Sequence, residues 1–220
     1  MDSYLNTPMG PRKPLSRDPN ELLQQTTTML FTKSEVPGSL RERLIGDFVG
    51  LFKQRDELDA DVLLRKMFII LDYYYFQRSL SEHAVQLSIY NQGPTASDLA
   101  GLYIGGGIYM YRHSGSNGER ITPSEMISTL IHEMTHAYFA VLTDRAKRRE
   151  LVDKNGGHGL PWNALYHSII NDVCKWSPEL ATFGQLLDER GTPENINDAN
   201  RLSYQLDQDE HTSDNKGKGK

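Results

Sequence analysis

Residues 122–143 read TPSEMISTLIHEMTHAYFAVLT. Three helix-start signals stand together at the front. Thr122 is a good N-cap, Pro123 sits in the first turn where its missing N–H is not needed, and Glu125 completes a capping box. The spacing predicts a helix from about Pro123 to Thr143. At ~100° per residue, Met126, Leu130, Met134, Ala137 and Val141 fall in one arc, which Ile127, Ile131 and Tyr138 widen. His132 and His136 lie side by side on the opposite face, with Glu133 on the flank.

His132-Glu133-Met134-Thr135-His136 is an HExxH pattern. Residues four apart on a helix are neighbours, so both imidazoles can bind one Zn²⁺ at ~2.0–2.1 Å. Zinc lowers the pKa of a bound water toward ~7, and a glutamate one step round the helix can take its proton as the water attacks a peptide carbonyl. In a chain with 7 histidines and 13 glutamates, chance gives this pattern about once in a hundred. The motif therefore needs a third ligand to carry weight.

A catalytic zinc site takes three protein ligands and keeps a fourth position open. One class of protease places Gly and His three and six residues after the second histidine; here those positions are Phe139 and Leu142, which excludes it. Another uses a downstream helical glutamate, but Glu150 and Glu179 lack such a context. His158 remains, in Gly156-Gly157-His158-Gly159, ahead of a helix expected from about Pro161. Flanking glycines let the backbone bring that imidazole close to a metal.

Outward from this centre, the chain reads helix, strands, helix. Asp18-Pro19-Asn20-Glu21 and Ser39-Leu40-Arg41-Glu42 are helix starts, although Thr26-Thr27-Thr28 disfavours the first helix. Leu40, Leu44, Phe48, Leu51 and Phe52 form the apolar stripe of the second. A third is expected over about Asp61 to Arg78, with Leu64, Met67, Phe68, Leu71 and Tyr75 inward; its Met67–Leu71 run also suits a strand. Val85, Leu87 and Ile89 alternate with polar neighbours as in a half-buried strand. Gly101 to Arg112 (GLYIGGGIYMYR) suggests two short strands around Gly105-Gly106-Gly107, which fit a hairpin turn, a bulge or the close approach of another chain. The helix after His158 carries Leu165, Ile169, Val173 and Trp176 at core spacing.

Composition bounds the rest. Of 220 residues, 38% are hydrophobic and 24% charged, with net charge −5. The single Cys174 forbids an intrachain disulfide or a four-cysteine zinc ribbon. No run approaches the ~18 apolar residues of a membrane span, and no secretory signal is visible at the start. The expected location is intracellular, the nucleus being one candidate, with no membrane partner. Residues 1–20, with four prolines, read as a disordered arm; 188–220 read as a polar disordered tail; the expected domain is 21–187 with its core at about 60–176.

The segment GLYIGGGIYMYR…SEMISTLIHEMTHAYFAVL…GGHGLPWNALYHSII resembles the SprT-like zinc metalloprotease domain family, which includes Spartan. The likeness rests on the glycine hairpin, on HExxH continued by Ala137, and on Gly157-His158-Gly159 followed by the aromatic Trp162. It covers about residues 60–176. It implies an α+β fold, with helices packed on a small antiparallel β-sheet. It implies Zn²⁺ held by His132, His136 and His158, with Glu133 as the catalytic acid/base. It implies a zinc-dependent endopeptidase acting on proteins, including DNA-associated or DNA-crosslinked ones, with DNA or chromatin proteins as partners. Family members add cysteine-built zinc elements that engage DNA; a chain with Cys174 alone cannot form a four-cysteine one.

Two other function classes stand beside this reading. One is a metal-stabilised binding module that does not cut, the other a nucleic-acid-associated adaptor acting through Arg145, Lys147, Arg148 and Arg149. That basic cluster suits phosphate contact and equally suits a solvated helix end. Tyr103, Tyr109, Tyr111, His113 and the loop arginines are all possible oxyanion-stabilising groups, and the sequence does not choose among them. His167 reads as a surface or structural group.

Overall fold

The computed structural model describes residues 17–31, 38–95, 97–153 and 157–184. In chain order these form α1 (Pro19–Phe31), α2 (Leu40–Lys53), α3 (Ala60–Tyr75), α4 (Ser79–Glu82), β1 (Gln86–Tyr90), β2 (Gly101–Ile104), β3 (Gly107–Tyr111), α5 (Pro123–Leu142), α6 (Arg145–Leu151) and α7 (Leu160–Val173). A short 3-10 turn, Pro178–Leu180, follows. The architecture is α+β. No helix among the described residues is long and apolar enough to cross a membrane.

The expected HExxH helix is α5, and it is the axis of the fold. Both arms of its capping box form: Glu125 N donates to Thr122 Oγ1 at 3.2 Å, and Thr122 N donates to the Glu125 carboxylate at 3.0 Å. Helices α3, α4, α6 and α7 and strands β2 and β3 all pack against it. Met126, Leu130, Met134, Ala137, Ile127, Ile131 and Tyr138 are buried as the spacing predicts. Burying each of the larger ones contributes about 1.5–3 kcal/mol. The face opposite this stripe is partly covered as well, by Trp162 and Tyr166 of α7, which leave His132 and His136 half-buried.

The sheet is mixed, which corrects the antiparallel expectation. Its order is β1-β3-β2; β2 and β3 form the expected antiparallel hairpin, but β1 joins β3 in parallel, from Gln86↔Gly107 to Tyr90↔Tyr111. The hairpin turn explains half of this. Gly105 (φ 59°) and Gly106 (φ 86°) both take the left-handed region, as a two-residue primed turn requires. β3, with Gly107, Ile108, Met110 and Tyr111 buried, takes the centre. The chain therefore runs past it between β1 and β2, and β1 is left on the far edge. On that edge Arg65 Nη1 donates to the Leu87 carbonyl at 3.1 Å.

The remaining helices mostly follow the sequence reading. α3 is a helix throughout Met67–Leu71 and buries Leu64, Met67, Phe68, Leu71 and Tyr75. It stops at Tyr75 rather than near Arg78, because Gln77 and Arg78 turn left-handed and the buried Asp72 carboxylate takes the N–H groups of Leu80 and Ser81 at 3.1 and 2.9 Å. α2 buries Phe48 and Phe52, but Leu40, placed in its stripe, is 49% exposed because it opens the helix beyond the packed turns. α1 forms despite its threonines: Thr27 Oγ1 donates to the Leu23 carbonyl, and Thr26 Oγ1 meets Tyr138 OH at 3.2 Å. Arg17 N also bonds the Leu142 carbonyl, so residues 17–20 of the expected arm belong to the fold, while 1–16 lie outside the described residues. The expected 188–220 tail lies outside them too.

The C-terminal end of α7 is fixed to α3 by a buried acid. Tyr74 OH and Tyr75 OH donate to the Asp172 carboxylate at 3.4 and 3.2 Å, and Trp176 stacks on Tyr75. α7 itself ends at Val173, three residues short of Trp176, which packs from the turn that follows. This anchoring matters because the first turn of α7 faces the candidate site.

Candidate metal centre

The structure brings His132, His136 and His158 together. Their Nε2 atoms lie 3.2 Å (His132–His136), 3.2 Å (His136–His158) and 3.1 Å (His132–His158) apart. Among the described residues they form a group able to hold a metal ion. A tetrahedral cation with ~2.0–2.1 Å bonds to nitrogen spaces its donors by about 3.3–3.4 Å. The observed triangle is within a few tenths of an ångström of that, so the residues fit such an ion.

Each ligand has a local cause. His132 and His136 are one turn apart on α5, at its best-packed stretch. His158 arrives from the short connection between α6 and α7, where two glycines are required. A Cβ on Gly157 (φ 92°) would press on His136 Cε1 at 3.2 Å, and one on Gly159 would lie 2.0 Å from the Leu151 carbonyl oxygen. The stretch between α5 and His158 is in part a helix, α6, started by Asp144, whose side chain accepts from Ala146 N. Gly156 lies outside the described residues.

Trp162 closes one side of the triangle. The three imidazole centroids are 5.0 Å apart in every pair, and the indole centroid is 4.6, 4.8 and 4.3 Å from them. That equidistance puts the indole on the axis of the triangle, about 3.5 Å from its plane, in van der Waals contact. His132, His136 and His158 would hold a cation with the indole packed against their rings, and the indole would close that side to an incoming group. Tyr166 stacks behind Trp162 at 5.0 Å.

Electrostatics agree with this geometry. Burial pushes His132 down to about 3, with His158 beside it adding to the effect. Burial, then the two neighbouring imidazoles, hold His136 well below its usual range, and burial lowers His158. All three are held toward the neutral form, in which each ring has one nitrogen lone pair to offer a metal, the charge state a metal ligand must be in.

Glu133 is buried, with Oε1 3.9 Å from His132 Nε2. Burial pushes its carboxyl up to about 8, against the lowering effect of a hydrogen bond from the Tyr103 backbone N–H. β2 comes this close because Gly101 has no side chain: a Cβ there would meet Thr129 Cγ2 at 2.7 Å, Met110 Sδ at 2.9 Å and Glu133 Cγ at 3.3 Å. Neither role was legible in the sequence. A backbone donor has no residue signature, and Gly101 looked like an ordinary strand boundary.

The other expected residues separate. Of the oxyanion candidates, Tyr103 lies on β2 next to Glu133 and within the field of Arg148. Burial, then Tyr90 and Glu133, push Tyr111 up to about 12. His113 is turned to the Asn91 carbonyl at 2.8 Å. In the basic cluster, Arg148 bonds the Ala140 carbonyl and pairs with Asp153, and Lys147 pairs with Asp18 at 3.9 Å. Arg145 and Arg149 are exposed. His83 holds the Ser79 carbonyl, His167 is exposed beside Tyr166, and His211 lies outside the described residues.

No protein-family model, curated protein or solved structure matches this chain.

Proposed function

We propose that this chain is a zinc-dependent endopeptidase of SprT-like type, with His132, His136 and His158 holding the metal and Glu133 as general base. One observation carries the proposal: three neutral imidazoles converge at 3.1–3.2 Å beside a buried carboxyl. A structural role would leave that carboxyl without a reason to be there. Zinc in such a triad supplies Lewis acidity, acidifying water and polarising a carbonyl.

The protein groups do the rest. The Tyr103 N–H orients the Glu133 carboxylate from the strand side. Trp162 closes one side of the triad. Glu133 accepts a proton from water and returns it to the leaving amine.

The outer edge of β2 is the natural seat for an extended substrate. Tyr111 N bonds the Ala100 carbonyl, so by strand alternation Gly101 and Tyr103 turn their backbone groups away from β3. An unfolded or locally extended protein segment laid along that edge passes Glu133. The substrate class is therefore proteins, read through main chain more than side chains. Action on DNA-associated or DNA-crosslinked proteins follows from the family resemblance.

The test is metal analysis of wild type and Glu133→Gln, with protein hydrolysis measured on both. The proposal expects one zinc per chain in each and cleavage in wild type alone. Wild type purified without chelator and lacking zinc would refute it. Zinc binding without cleavage in either protein would favour a metal-stabilised binding module instead.

A further inference from the structure

His132 and His136 ride on one rigid helix, whereas His158 stands on a short connection with glycine on either side. Glycine places almost no limit on the rotation of its neighbouring peptides. Among the described residues, hydrogen bonds from the main chain and from one side chain hold this connection. Gly159 N donates to the Val152 carbonyl at 2.8 Å, and Gly157 N donates to the Asp153 carbonyl at 3.2 Å. Another comes from a side chain: Asn163 Nδ2 reaches back across the first turn of α7 and donates to the His158 carbonyl, with a longer contact of 3.4 Å to the Gly159 carbonyl. Two carbonyl acceptors face the amide, so chemistry requires its NH₂ end to point at them. Gly159, the N-cap of α7, offers no side chain for the purpose.

We infer that Asn163 is a positioning residue of the metal centre. It fixes the His158–Gly159 peptide, and with it the direction of the third imidazole. It stands next to Trp162, which touches all three rings, so the first turn of α7 braces His158 twice: through its ring and through its main chain. What Asn163 sets is the affinity of the folded chain for the cation. The inference rests on the metal reading proposed above.

The test uses the full chain, stripped of metal and titrated with zinc against a competing chelator. Wild type, Asn163→Asp, Asn163→Ala, Asn163→Gln and His158→Ala are compared. The visible spectrum of each Co²⁺-loaded protein and the melting temperature of each metal-free protein are recorded. Asn163→Asp, which turns a carboxylate toward two carbonyls, should weaken zinc binding by about ten- to hundredfold. It should also shift the Co²⁺ spectrum toward that of His158→Ala. Asn163→Gln keeps a donor and should recover part of the loss. If the aspartate variant does not fold, Asn163→Ala carries the test, with an expected loss of about tenfold. Zinc affinity and Co²⁺ spectrum unchanged in a folded variant, with only the metal-free melting temperature lowered, would mean a purely structural role and overturn the inference. Wild type that binds no zinc, or binding indifferent to His158→Ala, would overturn the metal reading itself.

Discussion

Gly101→Ala tests how closely β2 must lie on α5. Gly101 is not in the left-handed region, so alanine is accepted by the backbone, and the loss of chain freedom in the unfolded state would by itself stabilise by about 0.4–1 kcal/mol. The new methyl, however, would stand 2.7 Å from Thr129 Cγ2, about 1 Å inside normal contact. Met110 Sδ, at 2.9 Å, belongs to a flexible side chain that moves aside. Thr129 is buried on the central helix and β-branched, so it does not. Overpacking of this kind costs about 1–3 kcal/mol, which leaves a net loss of about 1–2 kcal/mol or, in a chain of this size, about 2–4 °C of melting temperature per kcal/mol. Thr129→Ala vacates the contested space, so in the double variant the two changes should compensate by about 1 kcal/mol or more. Urea titrations of the four metal-free proteins close the cycle. Additivity within about 0.3–0.5 kcal/mol would refute the idea that this contact sets the spacing of strand and helix. In the zinc-loaded protein, Gly101→Ala should lower hydrolysis far more than zinc affinity, since it displaces the Tyr103 N–H from Glu133 and leaves the imidazoles in place.

Three further outcomes follow from the same geometry. A carboxyl at about 8 is about nine-tenths protonated at pH 7, and a cation beside it favours the charged form. Wild type should therefore release about one more proton on binding zinc than Glu133→Gln, as read by calorimetry in buffers of different ionisation enthalpy; equal release would show that Glu133 does not face the metal. The histidines act in the opposite pH window. Their folded values lie below the ordinary 6.5, so their contribution to metal-free stability is complete above 6.5 and falls as pH drops through the range toward 3, whereas Glu133, raised to about 8, works with the opposite sign between 4.5 and 8 and is removed from the comparison by using Glu133→Gln as background. The slope is about 1.4 kcal/mol per pH unit for each proton taken up, and it should be shallower in His158→Ala; identical slopes would contradict the buried-neutral picture. Finally, Trp162 touches all three imidazoles, so Co²⁺ should quench part of the tryptophan emission in wild type but not in Trp162→Phe, which leaves Trp176 as sole emitter; quenching that survives the substitution would place the metal elsewhere.

What the sequence made legible follows from where its signals are local. The α5 helix announces itself through Thr122, Pro123, Glu125 and an unbroken apolar arc. The hairpin does so through Gly105 and Gly106 between alternating residues. His158 was reached by asking for a third ligand. The parallel seat of β1 was not legible, because neither Leu87 nor Ile89 records which strand it pairs with, and the antiparallel expectation came from the family resemblance. The cover over the imidazoles was missed in the same way: helical angles gave a face free of core residues, and only the packing of α7 shows Trp162 lying on it. Lys147 and Arg148 read as a basic patch, since Asp18, Asp153 and the Ala140 carbonyl that engage them are near only in three dimensions. Asp172 gave no sign that it would bind the hydroxyls of Tyr74 and Tyr75.

The guanidinium of Arg65 on the Leu87 carbonyl also bears on self-association. A sheet with two usable edges can grow without limit, each copy adding to the last. Here the β1 edge carries a charged side chain on one of its carbonyls, so two molecules meeting strand to strand join more readily through β2. Such a pair is closed by its own two-fold axis and leaves only the β1 edges to a third copy. Pairing of the β2 edge with another chain is thus compatible with little tendency to grow into a filament.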